Sequence, residues 1–241
     1  MVALATCPRS GPSLGAVPAT CFVSSVPDLY HYDQLRRVNV ATMFRVNVTR
    51  STLVLGGSQS REVLDPDALA HLALRRRRGG GGLVLLESAD LVVDWWIPAG
   101  DSRWSNDVRE TSRRVGRWWA EVLHDAVDDE VTVHEGGLEG DRDLRVVCFA
   151  GRGPGEVFVG GEKAVGVTQW RVREGVFVSS VIHASSSLAI LPLLRTVPDG
   201  IETSLRHHTL KSLGVANADD LAEKLHAVSG PSALVHVSLD G

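Results

Sequence analysis

Apolar residues along this chain alternate between two spacings, and the change of spacing marks out the elements. At Thr52–Leu55 (TLVL) a short β-branched and aliphatic run is closed by Gly56-Gly57, which predicts a strand and a turn. Asp65-Pro66 then supplies an N-cap and a proline at the first helical position. Leu69, Leu72 and Ala73 follow at helical spacing, so Arg75–Arg78 is expected at a helix end. Leu83–Leu86 and Leu91–Ile97 read as two buried strands, the second ended by Pro98. From Asn106 to about Val127, the residues Val108, Val115, Trp118, Trp119, Val122 and Leu123 recur at roughly 3.6 spacing and predict the longest amphipathic helix.

The second half begins as sheet. Val131–His134, Arg145–Ala150 and Glu156–Val159 are strand-like, Gly160-Gly161-Glu162 makes a tight turn into Lys163–Trp170, and Val176–Ile182 adds a further strand. Ile201–Leu213 and Asp219–Ala227 read as two short helices, separated by Gly214 and with Asn217 as the cap of the second, before a last apolar run at Ala233–Val237. Strands and helices are mixed but do not alternate one to one, which favours an α+β fold over a doubly wound parallel sheet. The expected sheet is mixed, largely antiparallel, with helices packed on it. Residues 1–26 are rich in Ser, Pro, Gly and Ala without a period and are expected to form a loose arm, leaving residues 27–241 as a single domain.

Composition narrows the function classes. With 241 residues and 44% hydrophobic content the chain can bury a substantial core. A formal charge of −4 argues against a general nucleic-acid binder, because backbone-driven affinity needs a basic surface rather than one short basic run. Cys7, Cys21 and Cys148 are too few and too scattered for a disulfide framework or a zinc site, which fits a reducing compartment, and cytoplasm is the expected location. No leader pattern and no membrane span are read in the sequence. His124 lies in HDAVDDE, but the carboxylates lack convergent spacing, so no bound metal is expected. His207-His208 reads as part of a solvated helix face, and the tryptophan pairs Trp95-Trp96 and Trp118-Trp119 as core and groove packing.

The run LRRRRGGGGLVLL at Leu74–Leu86 is the most distinctive stretch. Consecutive glycines let a backbone approach a ligand and aim several N–H groups at an anion, while guanidiniums chelate carboxylate or phosphate with two bonds. The Gly-Lys-Ser/Thr ending of a Walker loop is missing, and the glycine spacing is wrong for a dinucleotide fingerprint. A phosphate or carboxylate cradle and a glycine-rich helix stop with solvated arginines both remain open on these residues alone.

Three further stretches give that cluster a context. TLVLGGSQ at Thr52–Gln59, VCFAGRGPGEV at Val147–Val157 and GGEKAVGVTQWRVR at Gly160–Arg173 stand around the arginine-glycine run in an order that resembles the lipoate–protein ligase and octanoyltransferase family. In that family an RRxSGGGxV motif follows a strand ending in LGxxQ, and a later GxKxxGxxQ hairpin carries an essential lysine. The resemblance covers about Thr52–Val176. It implies a single catalytic domain with the biotin/lipoate-ligase fold, in which the glycine loop and the lysine hairpin enclose an acyl group or acyl-adenylate. Arg76 and Arg77 match the paired arginines, Gly79, Gly80 and Gly81 the triple glycine, Lys163 the family lysine and Gly166 the small residue after it. Read on its own, a hairpin lysine flanked by Gly161, Ala164 and Gly166 can reach a buried carbonyl oxygen and stabilise charge on it, or can be a solvated turn lysine.

The same resemblance implies substrates and partners. A ligase would use ATP with Mg2+ to activate lipoate or octanoate as the acyl-AMP and would pass the acyl group to a lysine of a lipoyl carrier domain, either 2-oxoacid dehydrogenase E2 or glycine cleavage H protein. Some octanoyltransferases of the family instead carry a nucleophilic cysteine followed by phenylalanine upstream of the hairpin, and Cys148-Phe149 occupies such a place; the alternative is a core cysteine in an apolar segment. A non-catalytic relative that binds lipoyl domains is the third possibility. Arg78 stands where the family has a small serine, a side chain large enough to crowd the glycine loop. Val178-Ser179-Ser180 stands where relatives carry a histidine-glycine pair, which His183 does not obviously replace.

Overall fold

The computed structural model describes residues 26–69, 72–231 and 233–239. The expected arm at 1–26 lies outside these residues except for Val26. The elements in chain order are α1 (Tyr32–Leu35), β1 (Thr42–Val48), β2 (Thr52–Leu55), β3 (Ala73–Arg76), β4 (Val84–Leu86), β5 (Leu91–Pro98), α2 (Glu110–His124), β6 (Val131–Val133), β7 (Val157–Val159), β8 (Glu162–Val172), β9 (Gly175–Ile182), α3 (Ile201–Ser204), α4 (Ala218–Ser229) and β10 (Ala233–Leu239). They form a seven-stranded sheet in the order β10-β1-β5-β9-β8-β7-β6 and a three-stranded sheet in the order β3-β2-β4. Pairing is antiparallel except for β1 with β10 and β2 with β3. The expected α+β architecture with a mixed, largely antiparallel sheet is the one found.

The alternation along β5 shows why the molecule is layered. Leu91, Val93, Trp95 and Ile97 face one side and pack with Val115, Trp119, Leu123, Leu221 and Leu225 of α2 and α4. Val92 faces the other side, into a core shared with Leu53 and Leu55 of β2 and Val84 and Leu86 of β4. Both faces are buried, so β5 reads as an unbroken apolar run interrupted only by Asp94. The small sheet is thereby fixed against the face opposite the long helices.

Five local expectations are overturned. Pro66–Leu69 is a single 3-10 turn rather than the start of a helix reaching the arginines, and Ala73–Arg76 is β3, paired in parallel with β2. Asp65 does cap the turn, accepting from Asp67 N–H at 3.0 Å, but the sheet edge offers the following residues a ladder that outweighs their helical spacing. Arg145–Ala150 forms two 3-10 turns, Leu144–Val146 and Cys148–Ala150, because only Val147 bridges to Leu83. Of Ile201–Leu213 only Ile201–Ser204 is helical. The chain straightens at His207, which bridges to Lys163, and His208 N–H donates to Lys163 C=O at 2.8 Å. His207 therefore lies not on a solvated helix face but half-buried against Phe149 and His183. Val108, expected in the apolar stripe of the long helix, precedes α2 and is 58% exposed, and strand β1 is an element the sequence pattern does not mark.

Candidate active site

The glycine loop joins β3 to β4 and is held by two side chains, Arg77 and Thr168, and by one backbone N–H, that of Gly57. Arg76 donates from one guanidinium nitrogen to the carbonyls of Gly56 and Gln59 at 2.9 and 2.8 Å, so it clamps the GGSQ turn and does not line the cavity beside the loop. Arg77 is 5% exposed and donates to Gly80 C=O at 3.0 Å and Gly82 C=O at 2.6 Å, closing the loop from beneath. Thr168 on β8 donates its hydroxyl to Gly80 C=O at 3.0 Å, and Gly57 N–H donates to Gly79 C=O at 2.8 Å. In a trans peptide the N–H points opposite to the preceding carbonyl. Anchoring the Gly79 and Gly80 carbonyls therefore turns the N–H groups of Gly80 and Gly81 away from these anchors, at a stretch of loop that lines the cavity. Gly81 has φ +96°, a conformation that favours glycine.

Arg78, expected to crowd this loop, points away from it. Its guanidinium donates to Asp28 and Asp33 and lies 5.2 and 5.0 Å from the ring centres of Tyr32 and Trp170. In that position it pins the Asp28–Leu35 segment to the sheet and leaves the glycines unobstructed.

The cavity beside the loop has a volume of about 460 Å³. Its walls include Gly80–Gly82, Cys148, Gly151–Pro154 and Glu156, together with Arg109, Arg142, Arg145 and Arg152. Four arginines and a glycine loop thus border one concave surface, although the Arg152 guanidinium lies over the Phe158 ring, 4.4 Å from its centre, on the side of the neighbouring cleft. None of these four arginines was singled out in the sequence, since they are dispersed over 44 positions and meet only through the fold.

Lys163 enters from the β7-β8 hairpin, whose turn is made by Gly160 and Gly161 with φ +54° and +87°. Its side chain is 3% exposed, and the ammonium pairs with Glu156 at 2.7 Å and donates to the carbonyls of Cys148, at 3.2 Å, and Gly151. It also stands 5.2 Å from the Phe149 ring centre. Burial raises the Glu156 carboxyl above its usual value against the opposing pull of the Lys163 ammonium. Glu156 faces the arginine-lined cavity, whereas Lys163 lines a neighbouring cleft with Gly151, Arg152, Phe158 and Arg206. The pair thus forms the wall between the two. Glu156 has no mark of its own in the sequence, where GEVFVGGEK places it at the start of an apolar run.

Cys148 is half-buried and its thiol is free. It lines both the arginine-rich cavity and a small apolar pocket of about 40 Å³ that continues between the two sheets past Gly166, Val92, Val181 and Leu29. The Phe149 ring packs directly on Gly166, where a Cβ would lie 2.8 Å from it. Behind Phe149 sits His183, 5% exposed, whose ring nitrogen is 3.0 Å from Asp90. Asp90 also accepts from the N–H groups of Glu87 and Ala184. His207 packs on the same phenylalanine and is bonded to Ser187, and burial lowers its pKa. The fold therefore brings Lys163, Cys148, Gly79–Gly81 and Gly166 around one region, with Arg77 inside the loop and Arg76 behind it.

No protein-family model and no curated protein sequence matches this chain. Solved structures do. Protein Ta0514 of T. acidophilum with bound lipoic acid superposes with a TM-score of 0.61 at 16% identity, covering 87% of this chain and 82% of that one. The bi-partite lipoate protein ligase of Thermoplasma acidophilum, whose structural analysis includes its E2 lipoyl domain, gives 0.61 at 14% identity over 87% and 80%. Lipoate-protein ligase A bound with ATP gives 0.59 at 16% identity over 83% and 76%. This chain has the fold of the lipoate-protein ligase catalytic domains.

Proposed function

We propose that residues 27–241 act as a single catalytic domain that attaches a lipoyl or octanoyl group to a lysine of a lipoyl carrier domain by way of an acyl-adenylate. The observation that carries this reading is the joint arrangement of the anchored glycine loop and the buried Lys163 on either side of Cys148–Glu156. It places an anion cradle, a cation for an acyl oxygen and an apolar passage next to one another. The matched neighbours include proteins with lipoic acid and with ATP bound, and one studied with an E2 lipoyl domain, which is consistent with these substrates and with that class of partner.

In this reading the acyl carboxylate attacks the α-phosphorus of Mg-ATP and expels pyrophosphate. The amine of the carrier lysine then attacks the acyl carbon, the bond to AMP breaks, and the amine's proton is lost as the amide forms. The N–H groups of Gly80 and Gly81 and the guanidiniums of Arg145 and Arg152 hold phosphate oxygens. The Lys163 ammonium exchanges Glu156 or a backbone carbonyl for the acyl oxygen, where negative charge grows as the carbon is attacked. Mg2+ would come with the nucleotide and neutralise phosphate charge, and Glu156, once released by Lys163, is the buried carboxylate that would help to hold it. The apolar pocket beyond Cys148 holds the chain. At about 40 Å³ it has room for a few waters only, so chain entry has to displace Phe149 or Leu29.

A second enzyme reading rests on Cys148 lining both cavities: its thiolate would take octanoyl from a carrier thioester, and the target amine would then displace it. The discriminating experiment is the intact mass of an unmodified lipoyl domain after incubation with this protein and lipoate, with and without Mg-ATP. An ATP-dependent gain of one lipoyl amide that persists in Cys148→Ser is the expected result. Transfer of octanoyl from an acyl-carrier thioester without ATP, lost in Cys148→Ser, would replace the ligase reading with the second. The absence of any transfer would leave a binder of lipoyl domains.

A further inference from the structure

Under α1, on the small-sheet side of the large sheet, lies a cavity of about 780 Å³ that the proposed chemistry does not use. Its base is Asp94 on the central strand β5, which is 0% exposed and has no cation beside it among the described ion pairs. Its polar neighbours are neutral: the buried hydroxyl of Tyr30, on the cavity wall, and the Ser179 side chain. The register explains how the carboxylate comes to stand here. Asp94 pairs across to Phe44 on β1 and Ser179 on β9, and opposed residues share a face, so the carboxylate projects between aromatic side chains into a space closed by α1 and β10. Phe44, Phe177 and Tyr30 form an aromatic cluster with ring centres 5.3 to 6.5 Å apart.

We infer that this cavity is a second ligand site and that it takes an organic ammonium compound with an aromatic or apolar body. A buried carboxylate without a counter-ion is among the costliest groups a core can hold, and an ammonium is the partner that satisfies both its charge and its lone pairs. The rings on the walls offer π faces to the same cation and apolar surface to the rest of the molecule. No lysine or arginine of the described residues forms an ion pair with Asp94. The volume lies in the range of small-molecule sites. Burial pushes the Asp94 carboxyl up to about 7, so an arriving ammonium meets a group it can readily hold ionised. Leu29 lines both this cavity and the small apolar pocket, so the two adjoin.

The test uses tryptamine as probe and tryptophol, which replaces its ammonium by a hydroxyl, as control, with binding to the full chain followed by calorimetry at pH 8. Wild type is expected to bind tryptamine at least about tenfold more tightly than tryptophol, a difference of about 1.4 kcal/mol. Asp94→Asn should bring tryptamine down to the tryptophol level, and Phe44→Trp, which leaves the carboxylate in place but fills the cavity from the side, should weaken both. Equal binding of the two compounds, tryptamine binding that survives Asp94→Asn, or no binding of either at millimolar concentration would overturn the inference.

Discussion

Lys163 and Glu156 face each other at 2.7 Å with side chains only 3% and 4% exposed, so the amine most closely tied to the proposed chemistry already has a buried counter-ion. Neither charge can be removed singly without stranding the other in the interior. Substrate binding in the proposed reading is therefore an exchange of partners on a pre-positioned ammonium.

Lys163→Ala is expected to cost about 3 to 5 kcal/mol of stability, because it leaves Glu156 buried and unpaired. Urea denaturation measures this. The double variant Lys163→Met, Glu156→Gln should recover most of the loss, since both charges are gone, while acyl transfer to a lipoyl domain stays abolished. If the double variant is stable and transfers as well as wild type, Lys163 has no part in the chemistry.

Asp94 gives stability a defined pH dependence. Its pKa is raised from the ordinary 3.8 to about 7 on folding, so the unfolded state releases the proton first. The contribution is fully favourable below about pH 4, falls away as pH rises through the folded value, and is lost above about pH 7. Asp94→Asn removes that dependence. It should leave stability near wild type at pH 4 and raise it at pH 8 by at most about 4 kcal/mol, from a shift of about three units at 1.36 kcal/mol each. Thermal unfolding of both proteins across that range checks the sign.

Two glycines separate folding of the loop from use of the loop. A Cβ on Gly56 would fall on the Gly81 carbonyl oxygen, so Gly56→Ala should destabilise by about 1 to 3 kcal/mol. A Cβ on Gly80 meets nothing within 4 Å. Gly80→Ala should therefore unfold like wild type yet weaken Mg-ATP binding about tenfold, by about 1.4 kcal/mol, because the methyl holds a phosphate off the N–H groups. Unchanged nucleotide affinity in Gly80→Ala would remove this loop from the binding site.

Arg78→Ser, which installs the residue the family motif carries, should bring no gain in nucleotide binding. It should instead cost about 1 kcal/mol and speed hydrogen exchange in Asp28–Leu35, because the ion pairs to Asp28 and Asp33 are largely exposed and the contacts with Tyr32 and Trp170 supply much of the hold. Exchange unchanged in that segment would show that the arginine does not anchor it.

Sequence and fold divide the information in this protein along a physical line. Strands β2, β4, β5, β8 and β9 and the long helix α2 were legible because alternation and 3.6-residue spacing are local records of which face is buried. The glycine run and the GGEK hairpin were legible because they need backbone conformations and close approaches that few other residues allow. The arginines of Arg75–Arg78 read as one basic run, and the tertiary structure gave those at 76, 77 and 78 three different tasks: clamping a turn, closing the glycine loop and pinning α1. The Arg145–Ala150 and Ile201–Leu213 segments misled because their bonding partners, Leu83 and Lys163, are remote in sequence. Glu156, the cavity arginines, His183 with Asp90, and Asp94 carry no local signature. What makes each of them significant is the low-dielectric surroundings and the neighbours supplied by distant strands, and only the packed sheet decides those.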